Sequence, residues 1–165
     1  MNEQSIIQNA SPKDIPQIRQ IAAQTCPLAY GHIITQQQLD YMMDMMYSTE
    51  ALQKQMDDGH CFFMAWFAGQ AVGYASVSSE NNNYSKLQKL YVLPTVQKSG
   101  AGKALLQHAI SFAREQHSQK LLLQVNRNNN AVGFYKKNGF VIECEADFEI
   151  GNGFYMNDYV MGLQL

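Results

Sequence analysis

Apolar positions in this chain recur at two spacings, every second residue or every third to fourth, and the switches between them mark out its elements. Ser5–Asn9 reads as a first strand. Ser11-Pro12-x-Asp14 opens a helix, with Ser11 at the N-cap, Pro12 in the first helical position and Asp14 reaching back. Ile15, Ile18 and Ala22 form its buried stripe, and Cys26-Pro27 is expected to end it. Gln36–Tyr47 is a second helix whose methionines (Met42, Met43, Met45, Met46) read as adaptable packing, and Thr49–Asp57 is a third. Asp58-Gly59 turns into a buried strand at Cys61–Phe67; Ala68-Gly69-Gln70 is a hairpin turn, and Val72–Val77 returns antiparallel. A polar loop, Glu80–Asn83, leads to a strand over Leu87–Leu93. From Gly100 to His117, apolar residues at 105, 109 and 112 and at 106, 110 and 113 give a helix with a broad core face. A Leu121–Val125 strand, a short helix over Asn130–Lys137 and strands near Phe140–Phe148 and Tyr155–Leu163 complete one domain over residues 1–165, without linker or repeat. Strands that first run antiparallel and later join through helices predict an α/β (α+β) fold with a mixed sheet.

Chemistry concentrates at Lys86–Lys103, KLQKLYVLPTVQKSGAGK. A strand stopped by Pro94 runs through a Gln97-x-x-Gly100-x-Gly102 turn into a helix N-terminus. Free backbone N–H groups and the positive end of the helix dipole converge there, which suits a phosphate or pyrophosphate. Glycine is needed where a Cβ would hold the anion off or forbid positive φ. The turn is no P-loop, because Gln97 replaces the first glycine and Ala104 follows Lys103. It is no dinucleotide fingerprint either, because Leu105 stands where a third glycine or alanine belongs. Taken alone, a plain structural turn remains an equal reading.

Lys120–Phe140, KLLLQVNRNNNAVGFYKKNGF, supplies the context. A second apolar strand is followed by Asn128-x-x-Ala131-x-x-Phe134-Tyr135-x-Lys137-x-Gly139-Phe140. The two segments together, residues 86–140 and about a third of the chain, resemble the GNAT superfamily of acyl-CoA-dependent N-acyltransferases. The resemblance implies a mixed, mostly antiparallel central sheet flanked by helices, with a splay between the two central strands that admits acetyl-CoA. It implies that the 96–103 amides, from Val96 through Gln97, Lys98, Ser99, Gly100, Ala101, Gly102 and Lys103, hold the pyrophosphate, with Lys98 and Lys103 adding charge. Backbone groups of Leu90, Tyr91 and Val92 would pair with the pantetheine arm, and one N–H there would polarise the thioester carbonyl. Asn128 would touch the cosubstrate near the splay. Lys136 and Arg127 are either phosphate ligands or solvated surface charges.

Tyr135 is the expected general acid for the departing thiolate. A thiol pKa near 8.5 against a phenol near 10 makes that transfer uphill by about 2 kcal/mol, which hydrogen bonding can offset. Packing against the cosubstrate sulfur is the alternative. Many relatives carry a glutamate near the position of Gln88, and an amide cannot take a proton. Glu80, a water chain or a neutral incoming amine would have to serve, and the base stays unassigned.

The layout is more loosely similar to bacterial spermidine/spermine N-acetyltransferases, including a closing strand with Phe154, Met156, Asp158, Tyr159 and Met161. Glu143, Glu145, Asp147 and Glu149 share one face of a strand, either as a solvated face or as a cation-recognising wall. The expected activity is transfer of acetyl from acetyl-CoA to a primary amine, with polyamines as first candidates. A protein N-acetyltransferase and a non-catalytic acyl-CoA-binding sensor stay open.

Composition narrows the partners. Apolar residues at 46% and charged residues at 16% describe a globular protein rather than a disordered one. A net charge of −2 and a pI near 6.0 argue against nucleic acid. Cys26, Cys61 and Cys144, widely spaced and without a CxxC pair, read as reduced thiols of a cytoplasmic protein. They form no ligand-spaced cluster with His32, His60, His108 and His117, so no metal is expected. MNEQSIIQNA lacks the apolar core of a signal peptide, and Cys61–Ala68 is too short to span a bilayer. The expected partner is thus a small-molecule amine, with neither nucleic acid nor membrane, and with a homodimer open as the assembly.

Overall fold

A computed structural model describes residues 4–80 and 83–165, without the side chains of Gln97 and Lys98. Asn81 and Asn82 of the expected polar loop lie outside the described residues. The strands are β1 (Ile6–Asn9), β2 (Cys61–Phe67), β3 (Gln70–Ser79), β4 (Tyr84–Val92), β5 (Lys120–Asn126), β6 (Val141–Gly151) and β7 (Phe154–Gln164). They form one sheet in the order β1-β2-β3-β4-β5-β7-β6. Every neighbouring pair is antiparallel except β4 and β5. A parallel pair needs a crossover, and here it consists of the turn Pro94–Ser99 and helix α4 (Ala101–Glu115).

Helices α1 (Ile15–Tyr30), α2 (Gln36–Tyr47) and α3 (Thr49–Asp57) cover one face of the sheet; α4 and α5 (Ala131–Lys137) cover the other. Alternation on the central strands serves both layers. Leu87, Leu90 and Val92 pack toward α4, where Leu105, Leu106, Ala109 and Ala113 are fully buried. Tyr74 and Tyr91 point the other way, into the α1–α3 layer with Ile18, Cys26 and Leu52.

The expected end of α1 at Cys26-Pro27 is corrected: the helix runs three residues beyond Pro27. Proline removes one N–H from the helical ladder, but the unmatched carbonyl belongs to the exposed Ala23, where water can satisfy it. Gly31 N–H donates to the Pro27 carbonyl at 2.7 Å and closes the last turn. That extra turn delivers Tyr30 to the site described next.

Two irregularities shape β4. Lys89 pairs with Ser76 but Leu87 with Val77, so Gln88 is an extra residue in a bulge. Pairing with β5 begins at Tyr84–Lys120 and ends at Leu87–Leu123. Beyond that point β5 continues against β7 as far as Asn126–Asp158, while β4 continues against β3. The two central strands therefore splay from Gln88 onward.

Candidate active site

A cavity of about 740 Å³ fills the splay and extends through the sheet to both helical layers. On the α4 side its walls include Val92, Pro94, Gly102, Phe134 and Tyr135. Gly100 opens α4 with φ +85°, a conformation that favours glycine. A Cβ at Gly102 would lie 3.7 Å from Phe134 and 3.8 Å from Val92, so any larger side chain would extend among the cavity walls. This arrangement fits a phosphorylated, elongated cosubstrate entering at the helix N-terminus with its arm along β4.

The expected residues are placed unevenly. Leu90, Tyr91, Val92, Gly102 and Tyr135 line the cavity. Ser99 turns its hydroxyl to the Val96 carbonyl at 2.6 Å, Ala101 is fully buried, and Lys103 is exposed. The side chains of Gln97 and Lys98 lie outside the described part. Asn128 is exposed and does not line the cavity; Asn126, Asn129 and Asn130 do, and Asn126 Oδ1 accepts the Asn128 N–H at 2.9 Å. Arg127 is engaged by Asp147 and Glu145 and donates to the Ala146 and Asp158 carbonyls, so it acts as a brace between strands.

Tyr135 is buried, with its ring edge-on to Phe134 and Phe140 at 5.3 and 5.6 Å. Burial pushes its phenol well up, with Tyr30 adding to the effect, so the hydroxyl is fully protonated at neutral pH. Gln88 also reaches the cavity and donates to Ser78 Oγ at 3.0 Å, while Ser78 donates to Glu80 at 2.8 Å. Gln88 also donates to Glu80 directly at 3.4 Å, so Glu80 stands one hydrogen bond behind the wall.

Sequence reasoning missed most of the opposite lobe. It is lined by Tyr30 from α1, Met42, Met46 and Tyr47 from α2, Lys86, Lys89 and Tyr91 from β4, and Met156 and Asp158 from β7. Met42 and Met46 are therefore cavity wall as well as packing. Tyr30 and Tyr91 share a hydroxyl hydrogen bond of 3.1 Å. Asp158 is 3% exposed and its Oδ1 meets no partner among the described residues. Burial raises its carboxyl to about 6, against the opposing pull of Arg127 and Lys86. Tyr30, Tyr135 and Asp158 all line this one cavity. The acidic strand does not: Glu143, Glu145, Asp147 and Glu149 are outside the cavity, Glu143 is paired with Lys120, and Glu145 and Asp147 with Arg127. A carboxylate at an inward position of β7, two residues from the buried Met156, was the available signal for Asp158.

Residues 32–162 match the family described as Acetyltransferase (GNAT) domain. The chain belongs to the GNAT acetyltransferase family. An uncharacterized N-acetyltransferase of Mycobacterium tuberculosis is 30% identical over 154 residues, which is 92% of this chain and 98% of that relative. The peptidyl-lysine N-acetyltransferase YjaB of Escherichia coli is 38% identical over 81 residues, 48% of each chain. Among solved structures, the PaiA N-acetyltransferase of Thermoplasma acidophilum in complex with coenzyme A superimposes with a TM-score of 0.82 at 22% identity, covering 98% of this chain and 99% of that one. The fold of this GNAT member is therefore shared with proteins of low sequence identity.

Proposed function

We propose that this GNAT enzyme transfers an acetyl group from acetyl-CoA to a small primary amine by direct attack on the thioester. The single observation that carries the reading is the end of β4–β5 pairing at Leu87–Leu123, which opens a cavity shared by the glycine turn, Tyr135 and a second lobe on the other side of the sheet. Acetyl-CoA supplies the activated acyl group. The amides of the 96–103 turn hold its phosphates, and the β4 backbone at Leu90, Tyr91 and Val92 orients its arm, as one strand orients another.

The amine approaches from the α1–α3 side. Asp158 receives its proton, directly or through one water, with a pKa near the operating pH as a general base requires. Tyr135 gives a proton to the departing sulfur. The dry surroundings that hold the phenol protonated also raise the proton affinity of the thiolate, so the small gap between the two groups survives burial.

Walls joined across the lobe favour a small acceptor over a peptide. Gln38 Nε2 donates to the Tyr155 carbonyl at 2.7 Å and Tyr41 to the Ile150 carbonyl at 2.8 Å, tying α2 to the β6–β7 hairpin. A polyamine keeps the support of the loose sequence similarity but loses the acidic wall, since strand 143–149 is not part of the cavity. The test is release of free thiol from acetyl-CoA against a panel of amines. Turnover with small amines is expected. Thiol release with peptides alone, or acetyl-CoA binding without any turnover, would overturn the reading.

A further inference from the structure

The acceptor lobe carries an electrostatic signature that an unadorned amine does not explain. Its ionisable lining includes Lys86, Lys89 and Asp158, together with the imidazoles of His32 and His60. Lys86 has carboxylates nearby, since both Glu80 and Asp158 act on it. Lys89 makes no ion pair among the described residues. The Cys26 thiol and Lys86 act on it, it acts in turn on the His60 imidazole, whose pKa burial lowers first, and its ammonium stands 5.0 Å from the centroid of the Tyr47 ring. Burial raises the Cys26 thiol to about 11, so it is uncharged at neutral pH and offers Lys89 no counter-ion.

A half-buried cation whose contact is an aromatic face and no carboxylate remains unneutralised, and charges removed from water are ordinarily paired. At a ligand cavity the missing partner is a natural part of the ligand. The number of charges also discriminates. One uncompensated cation matches one negative charge, and a lysine is a compact point charge without the planar fork that recognises phosphate bidentately. Met42, Met46, Phe148, Ile150 and Met156 add apolar walls to the same cavity. A dication would place its second positive charge in the same lobe as Lys89 and Lys86, where like charges repel.

We infer that the acceptor is an amine that also carries a carboxylate, with Lys89 binding the carboxylate while the amine lies toward Asp158. This rests on the acetyl-transfer reading of the same cavity. The balance of the step is unchanged by the carboxylate: the amine nitrogen forms the amide bond to the acetyl carbon, the carbon–sulfur bond breaks, one proton leaves the nitrogen and one is gained by the thiolate. The carboxylate is a recognition group and takes no part in bond making.

The test uses the full chain, acetyl-CoA and matched acceptors: α- and ω-amino acids, their decarboxylated amines, and diamines of equal length. The expected result is a kcat/KM higher for at least one amino acid than for its decarboxylated counterpart by about ten- to a hundredfold, the range of one charge-assisted hydrogen bond. In Lys89→Met that ratio should fall toward one. A preference for decarboxylated amines or diamines in the wild-type enzyme overturns the inference and leaves acetyl transfer standing. A carboxylate preference that survives in Lys89→Met overturns the assignment to Lys89. If no amine releases thiol, the acetyl-transfer reading is what fails. Calorimetry of N-acetyl amino acids and N-acetyl amines on the coenzyme A-loaded protein then decides the inference separately. Tighter binding of the acids, lost in Lys89→Met, sustains it, and equal binding refutes it.

Discussion

Asn126 and Asp158 are register partners on β5 and β7, both buried, at the level where β4 has already parted from β5. The splay thus also leaves a carboxylate in the wall of the cavity. Asp158 sits there with Oδ1 unpartnered among the described residues, and the cost of that placement can be measured.

The Asp158 carboxyl is raised from 3.8 to about 6. A folded-state pKa above the unfolded one means that the native state binds the proton more tightly, so stability falls as pH rises from about 4 to 6 and the loss is complete above 6. A shift of about two units corresponds to at most about 3 kcal/mol at neutral pH. Asp158→Asn should therefore raise Tm at pH 7 and not at pH 4, while turnover at pH 7 falls. A variant as active as wild type would remove Asp158 from proton transfer, and one no more stable would remove the burial cost.

Tyr135→Phe keeps the ring contacts with Phe134 and Phe140 and deletes the hydroxyl. Turnover should fall by about ten- to a thousandfold, overlapping the usual range of a general acid, with acetyl-CoA affinity nearly intact. Normal kcat with weakened acetyl-CoA binding would make Tyr135 a packing residue.

Gly100 and Gly102 have different reasons to be glycine, and substitutions separate them. Gly102→Ala places its Cβ in ordinary contact with Phe134 and Val92 and should leave the fold and much of the affinity. Gly102→Val pushes branches among the cavity walls, so acetyl-CoA affinity measured by calorimetry should drop at least tenfold while the circular dichroism spectrum is retained. Gly100→Ala has space for its Cβ but must hold φ +85°, so it should cost about 1 kcal/mol of stability. Unchanged affinity in Gly102→Val would take the helix N-terminus out of the binding reading.

Legibility from sequence followed locality. The glycine turn, α4, the Phe134-Tyr135 segment and the order of strands follow from periodicity and contiguous motifs, because the residues that make each feature are neighbours in the chain. The second lobe of the cavity is assembled from α1, α2, β4 and β7, and no local pattern joins Tyr30, Lys89 and Asp158. Tyr30 was hidden further by Pro27, which reads as a helix end until the exposed Ala23 carbonyl and the Gly31 cap are seen. The carboxylates of β6 read two ways, as a solvated face or as a cation-recognising wall, for a related reason. Alternation placed them on one face, but only the position of β6 at the sheet edge, with Lys120 and Arg127 opposite, shows that this face lies outside the cavity.

Lys89 makes the carboxylate inference answerable to pH. Burial lowers its ammonium from 10.5 to about 8, with Lys86 pushing the same way. Below about 8 the free enzyme presents a cation to the acceptor; above it the cation is lost, and with it the attraction for a carboxylate. The KM of an amino-acid acceptor should therefore climb as pH rises through 8 to 9. The chemical step moves oppositely, because the acceptor amine, with a reference pKa near 10, is increasingly neutral over the same interval. A rising KM beside a rising kcat is the combination expected for the amino acid, whereas its decarboxylated counterpart should show the kcat rise without the KM penalty. In Lys89→Met the KM of the amino acid should be high at every pH and nearly flat. A KM for the amino acid that is level from pH 7 to 9 in the wild-type enzyme would show that Lys89 does not hold the carboxylate.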